Sequence, residues 1–347
     1  MKNSRQTERL RHIVSAFPEV TVTVVGDLVA DEFIFGEISR VSREAPVLIL
    51  KHREREVVPG GGANAIYNLA DLGVNVLPVG VVGNDEPGRL LLQKFRKKHI
   101  PLSGIEKSRD YSTVTKTRVL AGMTHTTRQQ VVRYDREPDR PPSEREIRHL
   151  VANAKEFVKA SDTVLISDYG YGSATPNICK AIGCDSLPTI VDSRYRMLDY
   201  VGVTGATPNE PEVEEALGVK IGHDRDKLYW AADELMRRMK LKSLVITRGR
   251  DGMLALERKH KPIDIPIFGS DQVTDVTGAG DTVIATFTAA TAAGATTEEA
   301  ARLANYAGGI VVMKRGTATV SQQELLDAIE KDSARKHHSA HEPALHE

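Results

Sequence analysis

The stretch DVTGAGDT at residues 275–282 runs directly into VIATFTAATAAG (283–294), a run of small residues compatible with a helix. Glycines let a backbone turn so that several N–H groups point at one spot, and a helix start adds the positive end of its dipole. Such a spot favours an anion, for instance a phosphate. Asp281, on the first helical turn, can then take a proton from a hydroxyl that attacks the phosphate. The alternative is an aspartate that only caps its helix.

Upstream of this stretch, strand patterns alternate with helix patterns. VTVVGD (22–27), TVLISD (163–168), TIVD (189–192) and SLVITRG (243–249) are strand-like runs with polar residues at or near their ends, and ANAIYNLADLG (63–73) has helical periodicity. This order predicts an α/β fold with a mainly parallel sheet and helices on both faces. Ligands bind such sheets at the carboxyl ends of the strands. The candidate polar residues at those ends are Asp27, Asp168, Asp192, Asn209 and Thr247.

Two stretches interrupt the alternation. Residues from about 33 to 58 and from about 112 to 135 contain no helix signal and alternate apolar with charged residues, as exposed antiparallel strands do. We expect them to form a small β-sheet, here called the lid, that stands off the main domain and covers the ligand site. Because so thin a sheet cannot bury both faces within one chain, the lid is expected to pair with that of a second copy in a homodimer.

Composition excludes several classes of partner. Lys+Arg and Asp+Glu both number 47 in 347 residues, so no net charge suggests nucleic acid or a membrane surface. No apolar run approaches the roughly 20 residues of a membrane span, and the N-terminus lacks the apolar core of a signal peptide. A cytoplasmic protein is predicted, with a polar N-terminal helix over residues 1–20, one domain over 21–330 and a disordered tail over 331–347.

The motifs match a known family. Over about residues 20–328 the chain resembles the ribokinase-like (pfkB-type) carbohydrate kinases, whose first signature matches GGGAN at 60–64 with the pattern from Val79 to Gly88, and whose second matches 275–282. The resemblance implies a ribokinase-like, doubly wound α/β sheet with a β-sheet lid. It also implies phosphorylation of a sugar by ATP with Mg²⁺, and it makes K⁺ a candidate cofactor.

The resemblance also assigns roles to individual residues. Asp281 is expected to be the catalytic base, with the amides of Gly278, Ala279 and Gly280 as the anion hole. The expected sugar contacts are Asp27, Asp31, Gly61, Gly62 and Asn64. The expected nucleotide-side residues are Asn209, Glu212, Thr247, Gly249, Gly252 and Asn305, with Glu212 ordering magnesium indirectly and with Asp275 and Thr277 as candidate ligands of a monovalent cation. Structural alternatives stay open for three of them: a loop acid at Asp31, a turn residue at Asn209 and a helix cap at Asn64.

Within this family, SRVSREAPV at 39–47 is similar to a segment of the bacterial heptose-7-phosphate kinases, the kinase half of the enzymes that make ADP-activated heptose for lipopolysaccharide. Residues 115–119, 128–135, 167–169 and 316–320 also look like that group. An already phosphorylated substrate needs extra cations, and arginine binds phosphate through two parallel hydrogen bonds. The residues expected to bind the phosphosugar are Lys116, Arg118, Arg133, Asp168 and Arg194. The alternative is that the charges of the lid only make an exposed sheet soluble.

Three departures separate the chain from the heptose kinases. Tyr171 stands where they usually carry lysine, Asp192-Ser193-Arg194 replaces their Asp-Pro-Lys, and the turn at 121–127 is longer. The chain also shows no H-x-G-H nucleotidyltransferase motif, so adenylyl transfer is expected from a separate protein. Two other functions stay open: a kinase of another sugar or nucleoside, and a catalytically silent sugar-binding protein on the same fold.

Overall fold

The computed structural model describes residues 2–122, 128–184, 186–269, 274–314 and 316–339. Its strands are β1 (Thr21–Gly26), β2 (Leu28–Val41), β3 (Leu48–Gly61), β4 (Asn75–Gly83), β5 (Ile105–Ser108), β6 (Val114–Gly122), β7 (Gln129–Arg136), β8 (Thr163–Asp168), β9 (Thr189–Ser193), β10 (Gly205–Ala206), β11 (Ser243–Thr247), β12 (Met253–Glu257) and β13 (Ile263–Ile265). Its helices are α1 (Lys2–Ser15), α2 (Gly62–Asp71), α3 (Glu86–Lys97), α4 (Glu144–Val158), α5 (Pro176–Ala181), α6 (Glu210–Leu217), α7 (Arg225–Met239), α8 (Ala279–Ala292), α9 (Thr297–Val311) and α10 (Gln322–Ser339).

Nine of these strands form the main sheet, in the order β13-β12-β11-β10-β9-β8-β1-β4-β5. The strands from β11 to β5 run parallel, and β12 and β13 are antiparallel to their neighbours. The strand order reverses between β1 and β8, because β4 and β5 are added on one side and β8 to β11 on the other. The predicted doubly wound α/β fold is confirmed, and this reversal is where such sheets bind ligands.

Helices cover both faces of the main sheet because side chains alternate along each strand. In β1, Val22 and Val24 pack into one apolar core and Val25 into the other. The first core also contains apolar residues of α1, α2, α3, α8, α9 and α10, and the second contains those of α4 to α7. The two cores hold the middle of the strands in place, and polar residues lie at the strand ends.

The lid consists of β2, β3, β6 and β7, in the order β3-β2-β6-β7. The pairs β2–β3 and β6–β7 are antiparallel, as predicted, but β2 and β6 run parallel, so the antiparallel prediction was wrong for the centre of the lid. The reason is that β2 follows β1 and β6 follows β5, and both β1 and β5 end at the same edge of the main sheet. Two hairpins that leave the same edge begin in the same direction.

The ends of the chain are more ordered than the sequence predicts. α1 is polar overall but buries Leu10, Ile13 and Val14 in the first apolar core, where it packs against α10. α10 continues to Ser339, whereas the sequence predicts a disordered tail from residue 331, and residues 340–347 lie outside the described residues. Among the helices that the structure describes, none combines the length and the apolar character of a membrane span.

Candidate active site

A cleft of about 760 Å³ lies over the carboxyl ends of β8 to β11 and reaches the start of α8. It is the place that a doubly wound sheet offers to a ligand. Many of the residues predicted from the sequence line it: Asp168, Arg194, Asn209, Glu212, Thr247, Gly249, Gly252, Gly278, Ala279, Gly280, Asp281 and Asn305. The remaining predicted residues lie around β2, α2 and the lid, except Asp275 and Thr277, which lie in the turn before α8.

Asp281, on the first turn of α8, has both carboxylate oxygens in hydrogen bonds. Asn64 Nδ2 donates to Oδ2 at 2.9 Å, and the Tyr169 hydroxyl donates to Oδ1 at 2.6 Å. Asn64 is itself fixed by Asn68, whose amide donates to Asn64 Oδ1 at 3.1 Å. Burial raises the pKa of Asp281 to about 6, although the two hydrogen bonds favour its charged form. An aspartate with that pKa can accept a proton at neutral pH.

The turn before α8 requires glycine at one position and leaves space at another. Gly278 has a φ of +78°, and a Cβ there would lie 2.6 Å from Asn64 Nδ2. A Cβ on Gly280 would meet no atom within 4 Å. The Ala279 amide donates to the Val276 carbonyl at 3.2 Å, so it is already occupied within the turn. The amides of Gly280 and Asp281, at the second and third helical positions, have no acceptor within the helix and are the better donors to an anion.

Asp31 joins the lid to the segment after α9. Its Oδ1 accepts from Arg118 at 2.8 Å, and its Oδ2 lies 3.4 Å from the Thr317 hydroxyl. Close packing holds this region, since a Cβ on Gly60 would lie 2.6 Å from the Asp31 carboxylate. Gly61 has a φ of +51°, and a Cβ on Gly62 would lie 2.9 Å from the backbone of β1 and β2. Asp31 is therefore held on a buried lid strand and is not a solvent-facing loop acid.

Asp27 and Asp168, which the sequence predicts as sugar or phosphosugar contacts, already have hydrogen-bond partners within the chain. Each is about 1% exposed. Asp27 accepts from the backbone amides of residues 169, 171 and 173 at 2.8–3.0 Å, and burial raises its pKa to about 6. Asp168 pairs with Arg196 and also accepts from the hydroxyls of Ser193 and Tyr200. Both carboxylates are engaged in holding the loops after β8 and β9.

Cations gather on the lid side of Tyr169. Lys116 is buried, and its ammonium lies 5.1 Å from the ring centre of Tyr169 and 5.9 Å from that of Tyr171. Burial lowers the pKa of Lys116, and the charges of Arg133 and Arg194 lower it further. Arg133 pairs with Asp135, while Arg194 is exposed beside the ring of Tyr195. Four of the predicted phosphosugar residues (Lys116, Arg118, Arg133 and Arg194) thus belong to one region.

Asn209 and Glu212 form a reciprocal cap at the start of α6. The Glu212 amide donates to Asn209 Oδ1 at 2.8 Å, and the Asn209 amide donates to Glu212 Oε2 at 2.9 Å. Asn209 is thus the N-cap of α6, and both residues also line the cleft. Burial raises the pKa of Glu212, and burial together with the Glu212 charge raises that of Asp192.

The other nucleotide-side residues are held by backbone geometry. The Thr247 amide donates to the Pro208 carbonyl, and Asn305 Nδ2 donates to the Pro266 carbonyl at 2.9 Å. Gly249 and Gly252 both have positive φ angles, and a Cβ on Gly252 would lie 2.1 Å from the Ile265 carbonyl oxygen. These residues line the cleft together with Asp281.

Asp275 ties the turn before α8 to the segment after α9. Its Oδ1 accepts from the Thr277 amide at 2.9 Å, and its Oδ2 accepts from the Gly316 amide at 3.0 Å. Among the side chains that the structure describes, no group of three or more His, Cys, Asp or Glu residues is arranged to hold a metal. The carboxylate of Asp275 thus has a structural partner on each oxygen.

Sequence reasoning missed Tyr169 and Arg196. Tyr169 follows the acid at the end of β8, and its position beside Asp281 depends on a loop whose path no local pattern predicts. Arg196 neutralises Asp168 from three residues beyond β9. A signal for Arg196 was present in the sequence, because a buried aspartate at the end of a strand needs a cation or several hydrogen-bond donors nearby.

Comparison with known proteins identifies the family of this chain. The profile of the pfkB family carbohydrate kinases matches residues 21–324. The bifunctional protein HldE of Pelobacter propionicus is 39% identical over 316 residues, which are 88% of this chain and 62% of that protein. The chain therefore spans less than two thirds of that relative.

Solved structures share the fold. Ribokinase of Arabidopsis thaliana, complexed with ribose and ATP, has a TM-score of 0.71 at 20% identity and covers 90% of this chain and 99% of its own. Phosphofructokinase-2 of Escherichia coli in complex with potassium has a TM-score of 0.70 at 18% identity, over 90% of this chain and 98% of its own. With a family profile that covers most of its length, this chain belongs to the pfkB family of carbohydrate kinases, enzymes that phosphorylate sugars.

Proposed function

We propose that this chain uses ATP to phosphorylate D-glycero-D-manno-heptose 7-phosphate at the anomeric hydroxyl, giving heptose 1,7-bisphosphate for ADP-heptose and lipopolysaccharide core synthesis. The observation that carries the proposal is the buried Lys116, which stands over Tyr169 on the lid side of Asp281. Arg133 and Arg194 lie within its electrostatic reach. Cations so near the base favour a substrate with its own phosphate. The lid segments that resemble heptose-7-phosphate kinases supply the identity of the sugar.

In the proposed reaction Asp281 takes the proton of the attacking hydroxyl. The hydroxyl oxygen bonds to the γ-phosphorus of ATP while the bond from that phosphorus to ADP breaks. The amides of Gly280 and Asp281 face the charge that develops on the transferred group, and the dipole of α8 adds to them. Asp31 and Asn64 orient the sugar, and the region of Lys116 holds its 7-phosphate. Most of the rate comes from positioning and charge stabilisation, as in other phosphoryl transfers.

Magnesium and potassium are part of the proposal as cofactors. Glu212 and Asp192 line the cleft, and burial together with the Glu212 charge raises the pKa of Asp192, so a hard divalent cation with oxygen ligands would suit this wall. Bound magnesium would neutralise charge on the phosphates. Asp275 and Thr277 are the residues of this chain proposed to face a monovalent cation. We expect turnover to be lost without magnesium and to rise with potassium, and equal rates in potassium-free buffer would remove potassium from the proposal.

Release of ADP across a panel of sugars and sugar phosphates tests the substrate. We expect heptose 7-phosphate to give the highest kcat/KM, with unphosphorylated heptose at least tenfold lower because the cations then have no partner. A second candidate, a kinase of a different sugar phosphate, is favoured by Tyr171, whose hydroxyl donates to Glu137 at 3.0 Å where the heptose kinases usually carry lysine. Preference for another phosphosugar would support that candidate, and preference for an unphosphorylated sugar would contradict both.

We also propose that the lid mediates a homodimer. Its exposed apolar side chains are Val41, Val47, Leu48, Val131, Val132 and Tyr134, which are 41–58% exposed. A second copy of the same lid would cover them, because like surfaces pair across a two-fold axis. Light scattering at tens of micromolar should give twice the 38.1 kDa of the chain. The double variant Val131→Lys/Val132→Lys should be monomeric, while Trp230→Lys, which changes an exposed aromatic residue on α7, should stay dimeric. A monomeric wild type would contradict the proposal.

A further inference from the structure

The side chain of Tyr169 lies between three groups of the site. Its hydroxyl donates to Asp281 Oδ1 at 2.6 Å, and its ring lies under the ammonium of Lys116. An edge of the ring lies beside the glycine turn, since a Cβ on Gly61 would lie 3.2 Å from Tyr169 Cε2. One side chain therefore touches the proposed base, the lid and the turn before α2.

The backbone of Tyr169 is also held in place, by hydrogen bonds to Asp27. Its amide donates to Asp27 Oδ2 at 2.9 Å, and the amides of Tyr171 and Ser173 donate to the same carboxylate. A buried carboxylate with three amide donors holds a loop in one conformation. The phenol of Tyr169 therefore stays beside Asp281 as long as these three amide hydrogen bonds to Asp27 are intact.

We infer that Tyr169 is a positioning residue for phosphoryl transfer: its hydroxyl fixes the Asp281 carboxylate and keeps it ionised, so that one lone pair faces the incoming hydroxyl. The inference rests on the proposed role of Asp281 as base. Asn64 holds one oxygen, Tyr169 holds the other, and the carboxylate cannot rotate between them. Burial raises the pKa of Tyr169 well above its usual value, so the phenol stays protonated and remains a donor.

The hydroxyl of Tyr169 also affects the pH range in which the Asp281 carboxylate is ionised and can act as a base. Burial alone favours the protonated carboxyl, which cannot act as a base, and the donated O–H opposes burial. Loss of that hydrogen bond should raise the pKa of Asp281 above its value of about 6. A hydrogen bond to a charged group typically corresponds to about one to two pH units. The acid limb of kcat/KM, which reports the base in the free enzyme, should move by that amount.

The experiment compares the pH profile of kcat/KM for wild type and Tyr169→Phe, with whichever sugar of the panel is turned over. We expect the acid limb of the variant to lie about one to two units higher, with a deficit of about five- to fiftyfold at pH 6 that shrinks towards pH 9. Tyr306→Phe is the matched control, because it removes the same kind of bond, from a tyrosine to Asp332, and Tyr306 does not line the cleft. Its acid limb should match that of wild type.

An equal deficit at every pH, with an unmoved acid limb, would overturn the inference while leaving the kinase assignment intact. A wild type that turns over no sugar would instead contradict the proposed function. In that case the carboxyl of Asp281 can still be titrated by ¹³C NMR in aspartate-labelled protein, with Asp281→Asn to assign its signal. The inference requires its pKa to rise in Tyr169→Phe and to stay unchanged in Tyr306→Phe, and an unchanged pKa in Tyr169→Phe would refute it without any turnover.

Discussion

Replacement of Asp281 by Asn is expected to reduce kcat by about 10²–10⁴-fold, the usual loss for a positioned general base. The amide has the shape of the carboxylate but cannot accept the proton. It can keep both neighbours: its oxygen can accept from Asn64, and its NH₂ group can donate to the oxygen of Tyr169. The variant should therefore fold, and it should melt at the same temperature as wild type or higher, since a buried charge is removed.

The measurement is kcat with saturating ATP and sugar, together with ATP affinity by calorimetry. ATP binding should stay within a few-fold of wild type, because Asp281 acts on the acceptor hydroxyl. Turnover within tenfold of wild type would exclude Asp281 as the base. A melting temperature well below that of wild type would make the loss of activity a folding effect, and Asp281 would then lose its catalytic assignment.

Removal of a single arginine from the cation region should weaken the phosphosugar much more than ATP. For Arg118→Ala, Arg133→Ala and Arg194→Ala we expect KM for the phosphosugar to rise roughly ten- to over a hundredfold, since a charge-assisted hydrogen bond to phosphate is worth about 1.5–3 kcal/mol. Arg118 should have a second effect, because it also neutralises Asp31 at 2.8 Å. Its loss should therefore lower kcat as well.

The matched control is Arg53→Ala, another lid arginine, whose side chain is 54% exposed and paired with Glu37. A charge effect on an exposed sheet is worth under about 1 kcal/mol and fades as salt is added. If all three test variants bind the phosphosugar like Arg53→Ala, the heptose proposal falls and the sugar kinase assignment stands. KM values should be compared at two salt concentrations, because only the specific contacts will persist at the higher one.

The fold was predictable from the sequence because its signals are local. Strands such as Thr163–Asp168 are continuous β-branched runs, and the helix after Gly278 begins where the glycine pattern predicts. The direction of the lid strands was not predictable, since alternation shows which residues share a face but not which strand lies alongside. That pairing depends on where each hairpin leaves the main sheet, which is a property of the whole topology.

The positions of the site residues were predictable from the sequence, but the contacts that each residue makes were less so. Asp281, Asn64 and Asp31 follow from motifs, and the structure brings them near one another through Gly278 and Thr317. Asp27 and Asp168 stand at strand ends like ligand contacts, yet their partners are amides and Arg196, which lie far along the chain. A sequence shows that an acid is present at a strand end. It does not show whether that acid already has hydrogen-bond or ion-pair partners within the folded chain.

The connections between the main sheet and the lid have a consequence for protein engineering. A single residue, Asp27, separates β1 from β2, and no residue separates β3 from α2 at Gly61 and Gly62. Because no linker residues at these junctions can absorb a change in length, an insertion or deletion there would displace both Asp31 and Asn64. Insertions should therefore be placed at the far end of the β2–β3 hairpin, across the exposed residues 43–47, where length changes are tolerated. Length changes at that tip should leave Asp31, Asn64 and the cations of β6 and β7 in register.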